Sequence, residues 1–183
     1  MPKLKFSSKI TKHHKKGLEF ILDFKNNKNF NYEIQGKLNA ELRPYQIEGV
    51  KWLAFLSKYN LHGALCDDMG LGKTLQALVV IQSELFKFYE KNPQKTSLSL
   101  IVCPPTLTEH WLYEINKYLD QTILKPLIFK PTSFRSESEI LANYNLLIIS
   151  YNNLQKSIDF FNGFNFLFCV VDEGHVLKNS KTK

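Results

Sequence analysis

Cysteine is scarce: Cys66, Cys103 and Cys169 are the only three in 183 residues, none is paired at metal-clip spacing, and each sits in an apolar run. This excludes a disulfide-built scaffold and a cysteine-ligated metal site, and predicts three buried thiols in a reducing compartment. Long apolar runs are also missing. No stretch approaches the roughly 18 residues of a membrane span, and Met1-Pro2-Lys3-Leu4-Lys5-Phe6 lacks the apolar segment of a signal peptide, so a soluble chain with no membrane partner is expected. No internal repeat is present. His13 and His14 have no cysteine or further histidine at ligand spacing and read as surface residues. Acidic residues are absent from both ends: residues 1–16 carry six lysines and residues 178–183 three, while the rest holds 15 basic against 17 acidic side chains. The net charge of +7 therefore belongs to the termini and not to the body. A lysine-rich arm of this kind is either merely solvated or a DNA or import signal.

What the chain does have is core material. Hydrophobic residues make up 44%, with 14 Phe and 8 Tyr, enough for one domain that buries roughly 70% of its unfolded surface. Residues 1–12 read as a flexible arm, and Leu18, Ile21 and Leu22 mark a short helix over about 14–24, ended by Asn26-Asn27-Lys28-Asn29. Phe30 to Leu38 reads as extended and packed on the main body. A helix follows from Leu42 to Tyr59, with Pro44 in its first turn and apolar positions at Ile47, Val50, Leu53, Ala54 and Leu56. Strands are expected at Leu98–Cys103, Leu124–Phe129, Leu146–Ser150 and Phe166–Val171. Between them lie a helix carrying Trp111, Leu112, Ile115 and Leu119, capped by Thr106 or Thr108, and a helix from Tyr151 to Phe160. Apolar strands alternating with helices imply an α/β fold, a parallel sheet covered on both faces. The division expected is a basic arm with its short helix over 1–36 and the main lobe over 37–183.

The stretch Cys66-Asp67-Asp68-Met69-Gly70-Leu71-Gly72-Lys73-Thr74 carries the chemistry. It follows the apolar run Gly63–Cys66, read as a strand, and leads into a helix starting Leu75-Gln76-Ala77-Leu78. Strand, glycine turn and helix gather backbone N–H groups around one point, an arrangement that holds a phosphate. Gly70 and Gly72 permit positive φ and close approach of an anion. The Lys73 ammonium suits β- and γ-phosphates, and the Thr74 hydroxyl can ligate Mg²⁺. The usual pattern, G-x-x-x-x-G-K-[ST], has a glycine where this chain has Asp67.

About a hundred residues on, the strand Phe166–Val171 runs into Asp172-Glu173-Gly174-His175. A carboxylate directly after a buried strand can hold Mg²⁺, usually through its waters, and Glu173 beside it can orient or deprotonate an attacking water. Either motif alone has a bland explanation, a capped helix or a polar loop. Together they point to a nucleotide site with Lys73, Asp172 and Glu173 as its catalytic residues.

These residues resemble a known family, the helicase-like DNA translocases of the Swi/Snf type, whose phosphate loop commonly reads Asp-Glu-Met-Gly-Leu-Gly-Lys-Thr and whose second motif is an Asp-Glu-x-His box. The resemblance accounts for Asp67; Asp68 stands where many members have Glu. Leu42-Arg43-Pro44-Tyr45-Gln46 looks like the family's adenine-recognising segment, which makes Gln46 a nucleotide contact along with Asp68, Met69, Gly70, Leu71, Gly72, Lys73 and Thr74. Pro105 and Thr106, in a segment that includes Trp111, and Ser150-Tyr151 resemble segments that face the DNA backbone in the family. Within the family, the likeness is to the branch that removes TATA-box-binding protein from DNA, carried by Lys58–Gly63, the Cys66–Met69 lead-in, Cys103–Thr108 with His110-Trp111, and Gly174, where most remodellers have Ala.

The resemblance implies a RecA-like first motor lobe that uses ATP and Mg²⁺, steps along duplex DNA, acts in the nucleus, and meets TATA-box-binding protein through regions outside this chain. Family members continue past the Asp-Glu-x-His box with a coupling motif and a second lobe bearing arginine fingers, worth about 10³ to 10⁵ in rate, or about 4 to 7 kcal/mol of barrier. The stretch given, ending at Lys183, is therefore expected to be catalytically incomplete, with an open sheet edge prone to self-association. The alternatives are a lobe of a chromatin remodeller, an RNA helicase lobe, and a module that binds ATP without hydrolysing it.

Overall fold

The computed structural model describes residues 30–132 and 136–175. The helix expected over 14–24 and both lysine arms lie outside the described residues.

Helix α1 (Pro44–Lys58) opens with proline at its first position, where the missing N–H costs nothing, and the Gln46 side chain reaches back to accept from the Arg43 N–H at 2.9 Å. Helix α2 (Lys73–Lys91) is the longest described, and Leu78, Val79, Ile81 and Leu85 on it are fully buried. Strand β1 (Leu98–Cys103) follows, then a single 3₁₀ turn (Pro105–Leu107) and helix α3 (Thr108–Tyr118). Strand β2 (Pro126–Ile128), helix α4 (Glu137–Asn143), strand β3 (Leu146–Ser150), two short helices α5 (Tyr151–Lys156) and α6 (Ile158–Phe161), and strand β4 (Phe166–Val171) complete the order.

All the described pairings are parallel, in the order β2-β3-β1-β4, with Ile101 opposite both Ile148 and Val170. Strands β1 and β3 are buried along their whole length, the pattern of central strands sandwiched between helix layers. On one face Ile101, Cys103, Leu146 and Ile148 pack under α1, α2 and α3 through Val50, Leu78, Ile81, Trp111 and Ile115. On the other, Leu100, Val102, Leu147 and Ile149 meet Ile140 and a group of stacked and tilted phenylalanines, Phe129, Phe160, Phe161, Phe164 and Phe166. The expected α/β sheet with helices on both faces is what forms.

Residues 30–43 run extended against this body. The buried Gln82 amide on α2 donates to the Gln35 and Lys37 carbonyls and accepts from the Asp120 N–H at 2.7 Å, joining three separate segments. Gly36, with φ of 82°, sits against it, since a Cβ there would come 2.7 Å from Gln82 Nε2 and 2.5 Å from Ile123.

Several local expectations are corrected. Gly63–Cys66 is no strand; residues 61–68 lack regular structure, and Gly63, Ala64 and Cys66 are exposed. The Leu61 N–H bonds to the Leu56 carbonyl and Gly63 lies against Leu56 and Trp52, so the chain leaves α1 folded back on it. The Gly-Ala pair also offers little side chain to a pleated surface. Strand β4 alternates half-buried and exposed, leaving Leu167, Cys169 and Val171 open to solvent. Consequently only Cys103 of the three thiols is buried. Neither Thr106 nor Thr108 caps α3: its N-cap is Leu107, and the Thr108 hydroxyl donates backward to the Pro105 carbonyl. The helix expected through Phe160 breaks at Ser157 into α5 and α6.

Candidate nucleotide site

The parallel strands carry β1, β3 and β4 to one edge of the sheet, which therefore collects Pro105-Thr106, Ser150-Tyr151 and Asp172-Glu173. Helix α2 precedes β1, and Leu75 in its first turn belongs to the same apolar cluster as Cys103 at the end of β1 and Trp111 of α3. Ligand groups collect at this edge in open parallel sheets.

In the loop, Gly70 and Gly72 have φ of 83° and 73°, both left-handed, and Gly72 is the N-cap of α2. The two differ in their surroundings. Nothing lies within 4 Å of where a Cβ would stand on Gly70, whereas on Gly72 it would meet Gln46 Nε2 at 2.4 Å. Gln46, 8% exposed, has both ends of its amide engaged: it accepts from Arg43 and donates to the Leu71 carbonyl at 3.2 Å, and the Tyr45 hydroxyl donates to that carbonyl at 3.3 Å. Helix α1 thus grips the loop through Leu71. Lys73 Nζ donates at 2.8 Å to each of the Asp67 and Asp68 carbonyls, folding its ammonium across the loop and leaving its third N–H for another acceptor. Asp67, the residue in place of glycine, has its carboxylate within 3.4 Å of the Gln76 amide. Gln76 in turn lies against Gly49 of α1, where a Cβ would be 1.9 Å from its oxygen.

The second half of the site is held just as closely. The Asp172 N–H continues the β1 ladder to the Val102 carbonyl at 2.8 Å. Its Oδ2 accepts from Trp111 Nε1 at 2.9 Å, its Oδ1 from the Glu173 N–H at 3.0 Å, and its carbonyl from the Tyr151 hydroxyl. Glu173 takes a φ of 53°, unusual for a residue with a side chain, and its carboxylate pairs with His175 Nδ1 at 3.1 Å. A Cβ on Gly174 would make only an ordinary contact of 3.9 Å with Val171, so the backbone does not demand glycine there. Burial, with the Asp172 charge adding to it, pushes the Cys103 thiol up to about 12, so it stays a neutral neighbour of the carboxylate. The Tyr151 phenol is pushed up by burial first and then by Asp172, and remains a donor.

Each Asp172 oxygen keeps a free lone pair, and Thr74 supplies a hydroxyl in the first turn of α2. Among the described residues no cluster of three or more His, Cys, Asp or Glu could hold a metal alone. One carboxylate and one hydroxyl fit Mg²⁺, which keeps waters and takes its remaining ligands from phosphate oxygens.

The other segments of interest fall out differently. Pro105 and Thr106 are exposed, Ser150 is buried with its hydroxyl capping α5 at Asn153, and Trp111, 2% exposed, is turned inward to Asp172. Sequence reasoning missed the roles of Tyr45, Gln76 and Gly49. The one signal for them is the presence of an amide and a glycine on core-facing positions of two helices.

The fold defines a RecA-like lobe of the P-loop class, a parallel sheet of four strands among the described residues with its helices, and a glycine-lysine-threonine loop opening α2. The chain belongs to the SNF2-related domain family, which matches residues 45–183. It is 45% identical over 174 residues to TATA-binding protein-associated factor 172 of Homo sapiens, covering 91% of this chain and 9% of that protein. It is 41% identical over 160 residues to TATA-binding protein-associated factor MOT1 of Saccharomyces cerevisiae, covering 83% and 8%. The chain thus spans less than a tenth of the length of these curated relatives. Among solved structures it is similar to the Sulfolobus solfataricus SWI2/SNF2 ATPase core in complex with dsDNA, at a TM-score of 0.65 and 28% identity, covering 82% of this chain and 30% of that one.

Proposed function

We propose that this chain is the ATP-binding first motor lobe of a DNA-dependent ATPase of the SNF2 type, acting in the nucleus to displace TATA-box-binding protein from DNA. The reading is supported by the left-handed Gly70 and Gly72 leading into Lys73-Thr74 at the start of α2, and by Asp172-Glu173 directly after β4, in a chain of this family. In this reading Lys73 exchanges its loop carbonyls for the β- and γ-phosphates, and the N-terminal N–H groups of α2 receive the same anion. Mg²⁺, when bound, neutralises charge on the phosphates. Thr74 and Asp172 hold it, and Glu173 orients the attacking water, with His175 setting the position of its carboxylate. Gln46 acts here by fixing the loop at Leu71 as well as by offering its edge to adenine. Pro105 and Thr106 are the exposed groups for a DNA backbone, whose contacts to phosphate would give little sequence preference and marked salt dependence. Duplex DNA and TATA-box-binding protein are partners of the longer protein that carries this lobe.

The test is steady-state ATP turnover by that longer protein with and without duplex DNA. Stimulation by DNA, abolished by Lys73→Ala and by Glu173→Gln, is the expected result. ATP binding without turnover in either condition would establish a non-hydrolytic module, and stimulation by RNA alone an RNA helicase.

A further inference from the structure

We propose that Trp111 is a positioning residue for the Asp172 carboxylate, acting through its indole N–H. The inference rests on the reading of Asp172 as the residue that holds Mg²⁺. Trp111 lies on α3, is 2% exposed, and places Nε1 2.9 Å from Asp172 Oδ2 across a separation of 61 residues. A buried indole N–H needs an acceptor, and here the acceptor is an ionisable group at the end of a strand, not a spare backbone carbonyl.

The chemistry of the donor matters. A lysine or arginine at this position would orient the carboxylate but also neutralise it, leaving little attraction for a cation. An indole N–H orients it and leaves the full negative charge. With Oδ2 held by Trp111 and Oδ1 by the Glu173 N–H, the carboxylate is engaged at both oxygens and keeps one lone pair on each. Tyr151 secures the same residue from the other side by donating to its carbonyl, so the backbone under the carboxylate is fixed as well. Asp172 is thereby preorganised by groups that no local sequence motif unites.

The test is ADP binding to this chain by calorimetry, once in Mg²⁺ and once in excess EDTA, for the wild type and Trp111→Phe. The ratio of the two affinities isolates the metal-dependent part, and a merely structural loss weakens both arms alike. We expect Trp111→Phe to cut the Mg²⁺ advantage by about tenfold, the scale of one hydrogen bond to a charged group, with the EDTA affinity unchanged. Replacing Trp111 by its benzothiophene isostere, which keeps the shape and lacks the N–H, gives the same loss without disturbing the core. An unchanged Mg²⁺ advantage in the isostere, or equal weakening in both arms, overturns the proposal. Failure of the wild type to bind ADP in either arm overturns the nucleotide reading itself, and is distinguished by occurring before any substitution.

Discussion

Replacing the two loop glycines by alanine separates a conformational cost from a contact cost. At Gly70, with φ of 83° and open space around the missing Cβ, alanine meets only the left-handed penalty, about 1 to 2 kcal/mol. At Gly72, with φ of 73°, the same penalty applies, and the methyl would in addition stand 2.4 Å from Gln46 Nε2. The amide must then leave the Leu71 carbonyl, adding about 0.5 to 1.5 kcal/mol for the lost hydrogen bond. With a urea slope of about 2 kcal/mol per molar, Gly70→Ala lowers the unfolding midpoint by about 0.5 to 1 M and Gly72→Ala by about 0.75 to 1.75 M. The double variant Gln46→Ala with Gly72→Ala identifies the cause: in the Gln46→Ala background the cost of the alanine at 72 falls to the Gly70 value. Equal midpoints for the two single variants, or a Gly72 cost indifferent to Gln46, would refute the claim that α1 holds the loop through this amide.

Thiol reactivity distinguishes the three cysteines. Cys66 and Cys169, both exposed, are expected to react with a disulfide reagent in the native chain, and Cys103, buried and pushed up to about 12, only on unfolding; three equally protected thiols would contradict the open face of β4. Gln82→Leu keeps the volume but strips partners from the Gln35 and Lys37 carbonyls and the Asp120 N–H, and is expected to cost about 2 to 4 kcal/mol in urea unfolding, against about 0.5 kcal/mol or less if the extended 30–43 segment is dispensable. The Asp120 carboxyl accepts from Thr122 and from the Lys37 N–H, which holds it below the usual carboxylate value. Its contribution is therefore complete above the ordinary carboxylate value and lost as pH falls through the lowered one. Asp120→Asn should flatten that acid limb of stability, and an unaltered limb would show the bond to be without effect.

Exposed Leu167, Cys169 and Val171 mark where reading by pattern ran out. A run such as Phe166–Val171 says that the segment is apolar, not which neighbour covers it, and all six of its residues are only half-buried or exposed among the described residues. Gly63–Cys66 failed for the related reason that a strand needs a partner, and Gly63 lies back against Trp52 and Leu56 instead. Where the local chemistry was self-sufficient it was legible: Pro44 starts α1, Gly70 and Gly72 turn left-handed, and β1, β3 and β4 end where their apolar runs end. The contacts that tune the site, Trp111 with Asp172, Tyr151 with Asp172, Gln76 with Asp67, span from nine to 61 residues and join different elements, and no local period encodes them.

The proposed Mg²⁺-dependent nucleotide site consists of Gly72, Lys73 and Thr74 with Asp172. Direct titration of ATP into this chain in the presence of Mg²⁺, beside Lys73→Ala and Asp172→Asn, tests it. Saturable one-to-one binding is expected, abolished by Lys73→Ala and reduced by Asp172→Asn to the level seen without Mg²⁺. Binding of equal strength in all three proteins would contradict it.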